Sequence, residues 1–179
     1  QRGLISFAEW VLSKSKMLNK DIEAIVFDFG NVIIDIDLDR TFQAFSELID
    51  RPIDRVKSIF ENEQLFRRYE IGLFEDAEFR DIIRQALGYP FSDSEINNAW
   101  NALLLDVPYD RIKLVQSLRA QYPVYLLSNT NNIHIEACNQ YFKQKFGINK
   151  VADLFNEAFY SYDYGNMHFI SLDSDDVSR

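Results

Sequence analysis

Two short polar clusters, one hundred residues apart, could together act on a phosphate group. Asp28 lies near the end of the apolar segment 22–29, and Ser128 and Asn129 end the apolar segment 124–129. A carboxylate can attack phosphorus when the two groups are held in line and the charge on the phosphate is neutralised. A hydroxyl and an amide can hold the phosphoryl oxygens. These residue types therefore indicate covalent attack on a phosphorylated substrate.

The two apolar segments are rich in the β-branched and aromatic residues of buried strands. Continuous runs of this kind are typical of a parallel α/β sheet that is covered on both faces. Ligands of such sheets bind outside the carboxyl ends of the strands. The sequence therefore predicts an α/β fold in which Asp28, Ser128 and Asn129 share one end of the sheet. A third core strand is predicted over residues 158–162, after a helix over residues 131–146.

Residues 32–39 alternate between apolar and acidic side chains, which predicts a half-buried strand or hairpin. Asp35, Asp37 and Asp39 would share its solvent face. A calcium site is the alternative interpretation, but alternating side chains offer no loop that converges on a cation. A solvated strand face is therefore the preferred prediction.

The spacing of the apolar residues becomes helical between residues 38 and 105. Five short helices are predicted there. Their inward-facing side chains are expected to include Leu38, Phe42, Phe45, Ile49, Val56, Phe60, Leu65, Phe66, Tyr69, Phe79, Ile83, Leu87, Ile96 and Trp100. Pro52 favours a helix start, and Ser92 with Glu95 forms a capping-box pattern. A helical insertion is thus expected between the first two core strands.

The composition is that of a globular chain with an acidic surface. The 179 residues carry 28 acidic and 19 basic side chains, a net charge of −9, and no basic run. A nucleic-acid partner is therefore not expected, because binding to phosphates needs a cationic surface. The single cysteine, Cys138, cannot form an internal disulfide, which fits a cytoplasmic protein. No apolar run approaches the roughly 20 residues of a membrane span, so no membrane contact is expected.

The two motifs together resemble those of a known enzyme family. Residues 26–33 read Val-Phe-Asp-Phe-Gly-Asn-Val-Ile, and residues 126–131 read Leu-Leu-Ser-Asn-Thr-Asn. With helices between them, they resemble the haloacid dehalogenase-like (HAD) hydrolase superfamily, and within it the branch that contains bacterial α-glucose-1-phosphate phosphatase. The resemblance implies a Rossmann-like core over residues 21–37 and 106–165. A helical cap over residues 38–105 would be inserted after the first core strand.

The resemblance also implies a mechanism. Asp28 would form an aspartyl-phosphate, while Ser128 and Asn129 would bind the phosphate. Mg²⁺ would be held by Asp28 and by the backbone carbonyl of Gly30. The substrate would be a small phosphorylated metabolite, such as a sugar phosphate, with cap contacts from Tyr69, Glu70 and Trp100.

Three positions depart from the pattern of the superfamily. Gly30 stands where most members carry a second Asp that protonates the leaving group, so an acidic leaving group such as an anomeric sugar hydroxyl is favoured. His168 stands where a lysine is expected, and an ordinary histidine pKa of about 6.5 makes it an unreliable cation at neutral pH. The final acidic pair of the superfamily has no counterpart before Arg179.

These departures leave two further hypotheses open. A truncated or frameshifted chain, with a divergent tail over residues 166–179, would be a non-catalytic fragment or pseudoenzyme that keeps the fold. A 2-haloacid dehalogenase is the second alternative, because that chemistry needs neither a metal nor a leaving-group acid. Residues 1–20 are interpreted as an N-terminal extension, and the sequence does not specify an oligomeric state.

Overall fold

Three parallel strands of the described chain form the sheet on which the predicted site residues lie. The structure is a computed structural model that describes residues 22–164, so the N-terminal extension, the divergent tail and His168 lie outside the described residues. The strands are β1 (Ile25–Phe27), β2 (Val124–Ser128) and β3 (Glu157–Tyr160), in the order β1-β2-β3. Both neighbouring pairs are parallel. The predicted α/β fold class is therefore confirmed.

The middle strand is buried as the sequence predicts, but the first strand is not. Val124 and Leu126 of β2 are completely buried, because β2 has a partner strand on either side. Val26 of β1, by contrast, is 59% exposed. The reason is its position, since β1 lies at one edge of the sheet that residues 22–164 form and has a partner strand on one side only. The prediction that the first strand is buried on both faces is wrong.

The alternating segment after β1 forms a turn and isolated bridges instead of the predicted half-buried strand or hairpin. The chain turns at Asn31, whose φ of 57° lies in the left-handed region. Ile36 then forms an antiparallel bridge with Leu104. Three backbone hydrogen bonds of 2.9 Å join residues 35–37 to residues 103–106. These two stretches run side by side and connect the sheet to the helices.

The three carboxylates of this segment have separate local partners. Asp35 accepts a hydrogen bond of 2.7 Å from Arg111. Asp37 caps the first helix by accepting from the N–H of Asp39. Asp39 in turn forms an ion pair with Lys57. The three side chains therefore do not converge on one point.

Five α-helices lie between residues 38 and 105, as the sequence predicts. They are α1 (Leu38–Ile49), α2 (Ile53–Asn62), α3 (Leu65–Glu70), α4 (Asp76–Leu87) and α5 (Asp93–Trp100). Both predicted helix starts are confirmed, because Pro52 precedes α2, and Ser92 and Glu95 form a capping box at α5. Leu38, which was expected to face inward, is 45% exposed.

The buried side chains form two hydrophobic clusters. The helical cluster comes from α1–α5 and includes Phe45, Phe60, Phe79 and Trp100. The sheet cluster joins the three strands to α6 (Tyr109–Arg119) and α7 (Asn132–Phe146). Ile133 of α7 belongs to the helical cluster, so the clusters meet at the start of this helix.

Short 3₁₀ helices complete the described chain, over Asn101–Leu103, Val151–Leu154 and Ser161–Tyr164. The last of these follows β3 directly. None of the helices between residues 22 and 164 is both long and apolar enough to cross a lipid bilayer.

Replacing Leu126 in β2 by alanine should lower the free energy of unfolding by about 2–5 kcal/mol, because the cavity it leaves is enclosed. Val26→Ala on β1 is the matched control, and this exposed change should cost less than about 0.5 kcal/mol. Urea unfolding followed by circular dichroism measures both values. Equal losses would contradict the exposed position of β1.

Candidate active site

Asp28 and Ser128 lie at the carboxyl ends of neighbouring strands. β1 and β2 pair in parallel, with Phe27 opposite Leu126. Continuing this register by one residue puts the Cα atoms of Asp28 and Ser128 about 6 Å apart, given ~4.8 Å between strands and ~3.3 Å per residue. The fold therefore brings the predicted nucleophile and the predicted phosphate-binding hydroxyl to one end of the sheet.

A small cavity of about 70 Å³ lies at this end of the sheet. Its wall is formed by Phe29, Gly30, Ile34, Ile36, Leu38, Phe66, Glu70, Leu103, Leu104, Ser128, Asn129, Thr130 and His134. Polar groups come from residues 128–130, from Glu70 and from His134, and most of the other side chains are apolar. The wall has the composition of a small-molecule site, mainly apolar with a few convergent polar groups, but the volume is below the roughly 300–1,000 Å³ usual for such sites.

Asp28 is half-buried and directly precedes two residues of the cavity wall, Phe29 and Gly30. One of its carboxylate oxygens accepts a hydrogen bond of 2.6 Å from the N–H of Phe29. The Asp28 side chain is not itself part of the wall. The carboxylate is thus restrained by its own backbone beside the cavity.

Gly30 has no side chain, and Ile36 fills the space where one would lie. A Cβ atom at Gly30 would meet Cδ1 of Ile36 at 3.0 Å. The isoleucine would have to shift to admit even a methyl group. At the position where most superfamily members carry a second Asp, this chain therefore has no side chain, and Ile36 packs against the backbone.

Helix α7 begins just beyond Ser128, and Asn131 caps it. The Asn131 side-chain oxygen accepts hydrogen bonds from the N–H of His134 at 3.1 Å and from Nε1 of Trp100 at 3.2 Å. Its Nδ2 is buried without a hydrogen-bond partner among the described residues. The N-terminus of a helix favours an anion, because its first N–H groups are unpaired and its dipole is positive there. A phosphate beside residues 128–131 would meet this end of α7.

His134 lies in the first turn of α7 and forms part of the cavity wall. Its ring stacks on Trp100 with 5.2 Å between the centroids, and its Nδ1 lies 2.8 Å from Oδ1 of Asn101. Because the amide oxygen can only accept, Nδ1 carries the proton. Burial lowers the pKa of His134 to about 3. The ring is therefore neutral at physiological pH and supplies no positive charge.

Glu70 ends α3 and contributes the one carboxyl group of the cavity wall. Burial raises the pKa of Glu70 to about 7. Its backbone carbonyl accepts a hydrogen bond of 2.6 Å from the hydroxyl of Ser161. The same hydroxyl accepts a hydrogen bond of 3.1 Å from the N–H of Thr130. Ser161 thus joins the end of α3 to the residues after β2.

The other two predicted cap contacts, Tyr69 and Trp100, are buried in the helical cluster and are not part of the cavity wall. Trp100 stacks on Phe66 with 4.3 Å between ring centroids. Tyr69 stacks on Phe79 at 4.0 Å, and its hydroxyl donates to Asp76. Of the three residues expected to face a substrate, only Glu70 reaches the cavity in this structure.

The donor atoms near Asp28 suit a hard divalent cation. Mg²⁺ prefers oxygen ligands and is commonly held by one or two carboxylates together with substrate phosphate and water. Asp28 offers a half-buried carboxylate, and Gly30 offers a backbone carbonyl two residues later. Within residues 22–164, no group of three or more His, Cys, Asp or Glu side chains could hold a metal ion.

Similarity to known proteins decides the family. No protein-family model matches the chain. D-ribitol-5-phosphate phosphatase of Bacteroides thetaiotaomicron is 32% identical over 146 residues, which are 81% of this chain and 70% of that protein. A HAD family enzyme of the same species, solved with magnesium and inorganic phosphate, has a TM-score of 0.72 at 35% identity, covering 80% of this chain and 71% of that one. The chain belongs to the HAD family of phosphohydrolases.

A more distant structure shares the fold. A predicted HAD-like family hydrolase of Porphyromonas gingivalis has a TM-score of 0.71 at 22% identity, over 82% of this chain and 69% of that chain. The resemblance that the two sequence motifs indicate, and the Rossmann-like α/β fold that it implies, are both confirmed.

Sequence reasoning about this HAD chain missed Ser161 as a residue of the site. Ser161 follows β3 directly, just as Asp28 follows β1 and Ser128 ends β2. Applying the rule for the carboxyl ends of parallel strands to the third strand would have found it.

Ser161→Ala should lower the free energy of unfolding by about 1–3 kcal/mol, because it leaves the buried N–H of Thr130 without its acceptor. Ser117→Ala is the control, since that hydroxyl donates only to a carbonyl of its own helix. Urea unfolding of both variants gives the comparison. A loss in Ser161→Ala no larger than in Ser117→Ala would contradict the bridging role.

Glu70 should make stability depend on pH in an unusual direction. Its pKa is raised from 4.5 to about 7 in the folded chain, so the folded state binds the proton more tightly than the unfolded state does. This residue therefore lowers the unfolding free energy as the pH rises through that interval. Glu70→Gln removes the titration and should gain about 1–3 kcal/mol on the parent between pH 4 and pH 8.

Denaturant unfolding of the parent and of Glu70→Gln at pH 4, 6 and 8 measures this difference. His134, the other titratable group of the cavity wall, stays neutral throughout because its pKa is about 3. A stability difference between the two proteins that is constant with pH would show that Glu70 titrates normally.

Proposed function

We propose that the chain is a Mg²⁺-dependent phosphatase that acts on a small phosphorylated sugar or polyol through an aspartyl-phosphate on Asp28. The observation that carries this proposal is the parallel pairing of β1 with β2. This pairing places the Asp28 carboxylate and the Ser128 hydroxyl at the ends of adjacent strands, beside a cavity with few polar groups. Family membership supports the reaction class, and the positions of Asp28 and Ser128 at the strand ends support the residue roles.

Attack by Asp28 requires that the phosphate be held in line and that its charge be neutralised, because two anions repel each other. The Ser128 hydroxyl and the backbone N–H groups at the start of α7 are suited to this task. Ser128, Thr130 and Asn131 are each at most 5% exposed. Their dipoles are therefore fixed before a substrate arrives, so little reorganisation is needed during the reaction. Asn129, which follows Ser128 in the cavity wall, would complete the phosphate site.

Asp28 and the backbone carbonyl of Gly30 would hold Mg²⁺. When bound, the cation supplies positive charge that offsets the charge of the phosphoryl group. The HAD neighbour solved with magnesium and inorganic phosphate supports this assignment. One oxygen of the Asp28 carboxylate would bind the cation, and the other oxygen would attack phosphorus.

The relative and the cavity wall support the proposed substrate class. The similar phosphatase is named for D-ribitol 5-phosphate, a phosphate ester of an acyclic sugar alcohol. Ile34, Ile36 and Leu104 line the cavity together with the carboxyl group of Glu70. This combination suits a substrate whose carbon backbone carries hydroxyl groups.

We also propose that the chain is divided as the family pattern implies, with a core over residues 21–37 and 106–165 and a helical cap over residues 38–105. The two hydrophobic clusters support this division. The paired stretches 35–37 and 103–106 would be the connections between core and cap. The cavity lies between the core and the cap. We further propose a cytoplasmic location, because the single cysteine fits a reducing compartment.

Asp28→Asn tests the nucleophile. The parent chain should release inorganic phosphate from D-ribitol 5-phosphate or glucose 1-phosphate in the presence of Mg²⁺, and the variant should lose more than about 10³-fold in kcat. Asp50→Asn is the control, because Asp50 is exposed and its φ of 50° is one that asparagine also adopts. A malachite green assay measures phosphate release, and EDTA should abolish it.

Other outcomes would redirect the proposal. Equal turnover by the parent and by Asp28→Asn would remove Asp28 from the mechanism. Halide release from a 2-haloacid in the presence of EDTA would support a dehalogenase. A folded parent chain that turns over neither ester would favour the non-catalytic alternative.

A further inference from the structure

Expelling a sugar or polyol from phosphorus leaves an alkoxide, which is a strong base. Protonation of that oxygen by a positioned acid typically contributes about 10²–10⁴-fold to such a step. No acid can come from position 30, since Gly30 has no side chain and Ile36 packs 3.0 Å from where its Cβ would be. The proton must therefore come from another group in the cavity.

Of the described residues that form the cavity wall, only Glu70 and His134 have titratable side chains. His134 cannot give the proton, because its one N–H, at Nδ1, is directed to the side-chain oxygen of Asn101. The remaining ring nitrogen of a neutral imidazole can only accept. Among residues 22–164, Glu70 is thus the one side-chain acid of the cavity wall.

The backbone around Glu70 is held from two directions. The Ser161 hydroxyl binds the Glu70 carbonyl at 2.6 Å. Two residues later, Gly72 has a φ of 69°, and a Cβ there would lie 2.6 Å from the carbonyl oxygen of Tyr162. The turn after α3 therefore packs directly on the backbone that follows β3. This packing fixes the end of α3 next to the phosphate-binding residues 128–130.

We propose that the carboxyl group of Glu70 protonates the leaving oxygen, in place of the acid that position 30 lacks. This inference rests on the proposed function. In the first step, an Asp28 oxygen bonds to phosphorus, the bond from phosphorus to the leaving oxygen breaks, and that oxygen takes the Glu70 proton. In the second step, water attacks phosphorus, its proton returns to Glu70, and the bond to Asp28 breaks. The products are the alcohol and inorganic phosphate.

The protonation state of Glu70 fits this role. Burial raises its pKa to about 7, so both the acid and the carboxylate forms are populated near neutral pH. Titratable groups on the elements that pack against α3 include Glu61 in α2, and Tyr162 and Asp163 after β3. His134 shares the cavity wall with Glu70. Burial is the cause of the shift in the pKa of Glu70.

Leaving-group dependence tests the proposal, because an acid matters only when the leaving oxygen is basic. Glu70→Gln keeps the shape of the side chain but cannot donate a carboxyl proton. With D-ribitol 5-phosphate, its kcat/KM, which reports the steps up to expulsion of the leaving group, should fall by about 10²–10⁴-fold. With 2,4-dinitrophenyl phosphate, whose leaving group needs no proton, its kcat/KM should stay within about 3-fold of the parent, since general acid catalysis is not needed in that step. Glu78→Gln, an exposed change in α4, is the matched control.

Each result decides the question. A selective loss on the alkyl ester supports Glu70 as the acid. Equal losses of activity on both esters by a folded Glu70→Gln variant, or no loss on either ester, would overturn it. Circular dichroism of Glu70→Gln shows whether equal losses come from misfolding. Glu70→Asp, which keeps the carboxyl group, should then recover part of the activity on D-ribitol 5-phosphate. A parent chain inactive on both esters would instead overturn the proposed function, and this inference with it.

Discussion

Three residues of β1 pair in parallel with three residues of β2, and the position of the candidate site follows from this pairing. Parallel strands must end on the same side of a sheet, so the residues after them meet without any special arrangement of loops. The register matters as much as the direction. A slip of one residue would turn Ser128 to the opposite face of the sheet and away from the cavity. The burial of Val124 and Leu126 at 0% exposure opposes such a slip.

Buried hydrogen bonds, in addition to apolar contacts, join the helical cluster to the sheet. Trp100 donates to Asn131 at the cap of α7, and Ser161 binds the carbonyl of Glu70 at the end of α3. A buried polar group that loses its partner destabilises the fold, so these bonds determine where the helices lie above the strand ends. The cavity and its single carboxyl group are consequences of that placement. The contact of Ile36 with Gly30 and the burial that raises the pKa of Glu70 thus both depend on where the helices lie above the sheet.

Local patterns in the sequence were sufficient to predict the strand ends and the five helices, because periodicity and caps act over a few residues. The exposure of Val26 could not be predicted this way, since it depends on which strands lie at the edges of the sheet. The segment after β1 was also mistaken for a strand, because Asn31 adopts a left-handed conformation that alternation does not reveal. The contact between Ser161 and Glu70 spans 91 residues, and only the folded chain shows it.

A crystal structure of the chain grown with Mg²⁺ and beryllium fluoride, which mimics a phosphoryl group on a carboxylate, tests the central claim most directly. The account predicts beryllium bonded to an oxygen of Asp28, a fluorine within hydrogen-bond distance of the Ser128 hydroxyl, and the Glu70 carboxyl group on the side away from Asp28. Beryllium fluoride bound elsewhere, or bound to Asp28 with neither Ser128 nor Glu70 beside it, would contradict the account.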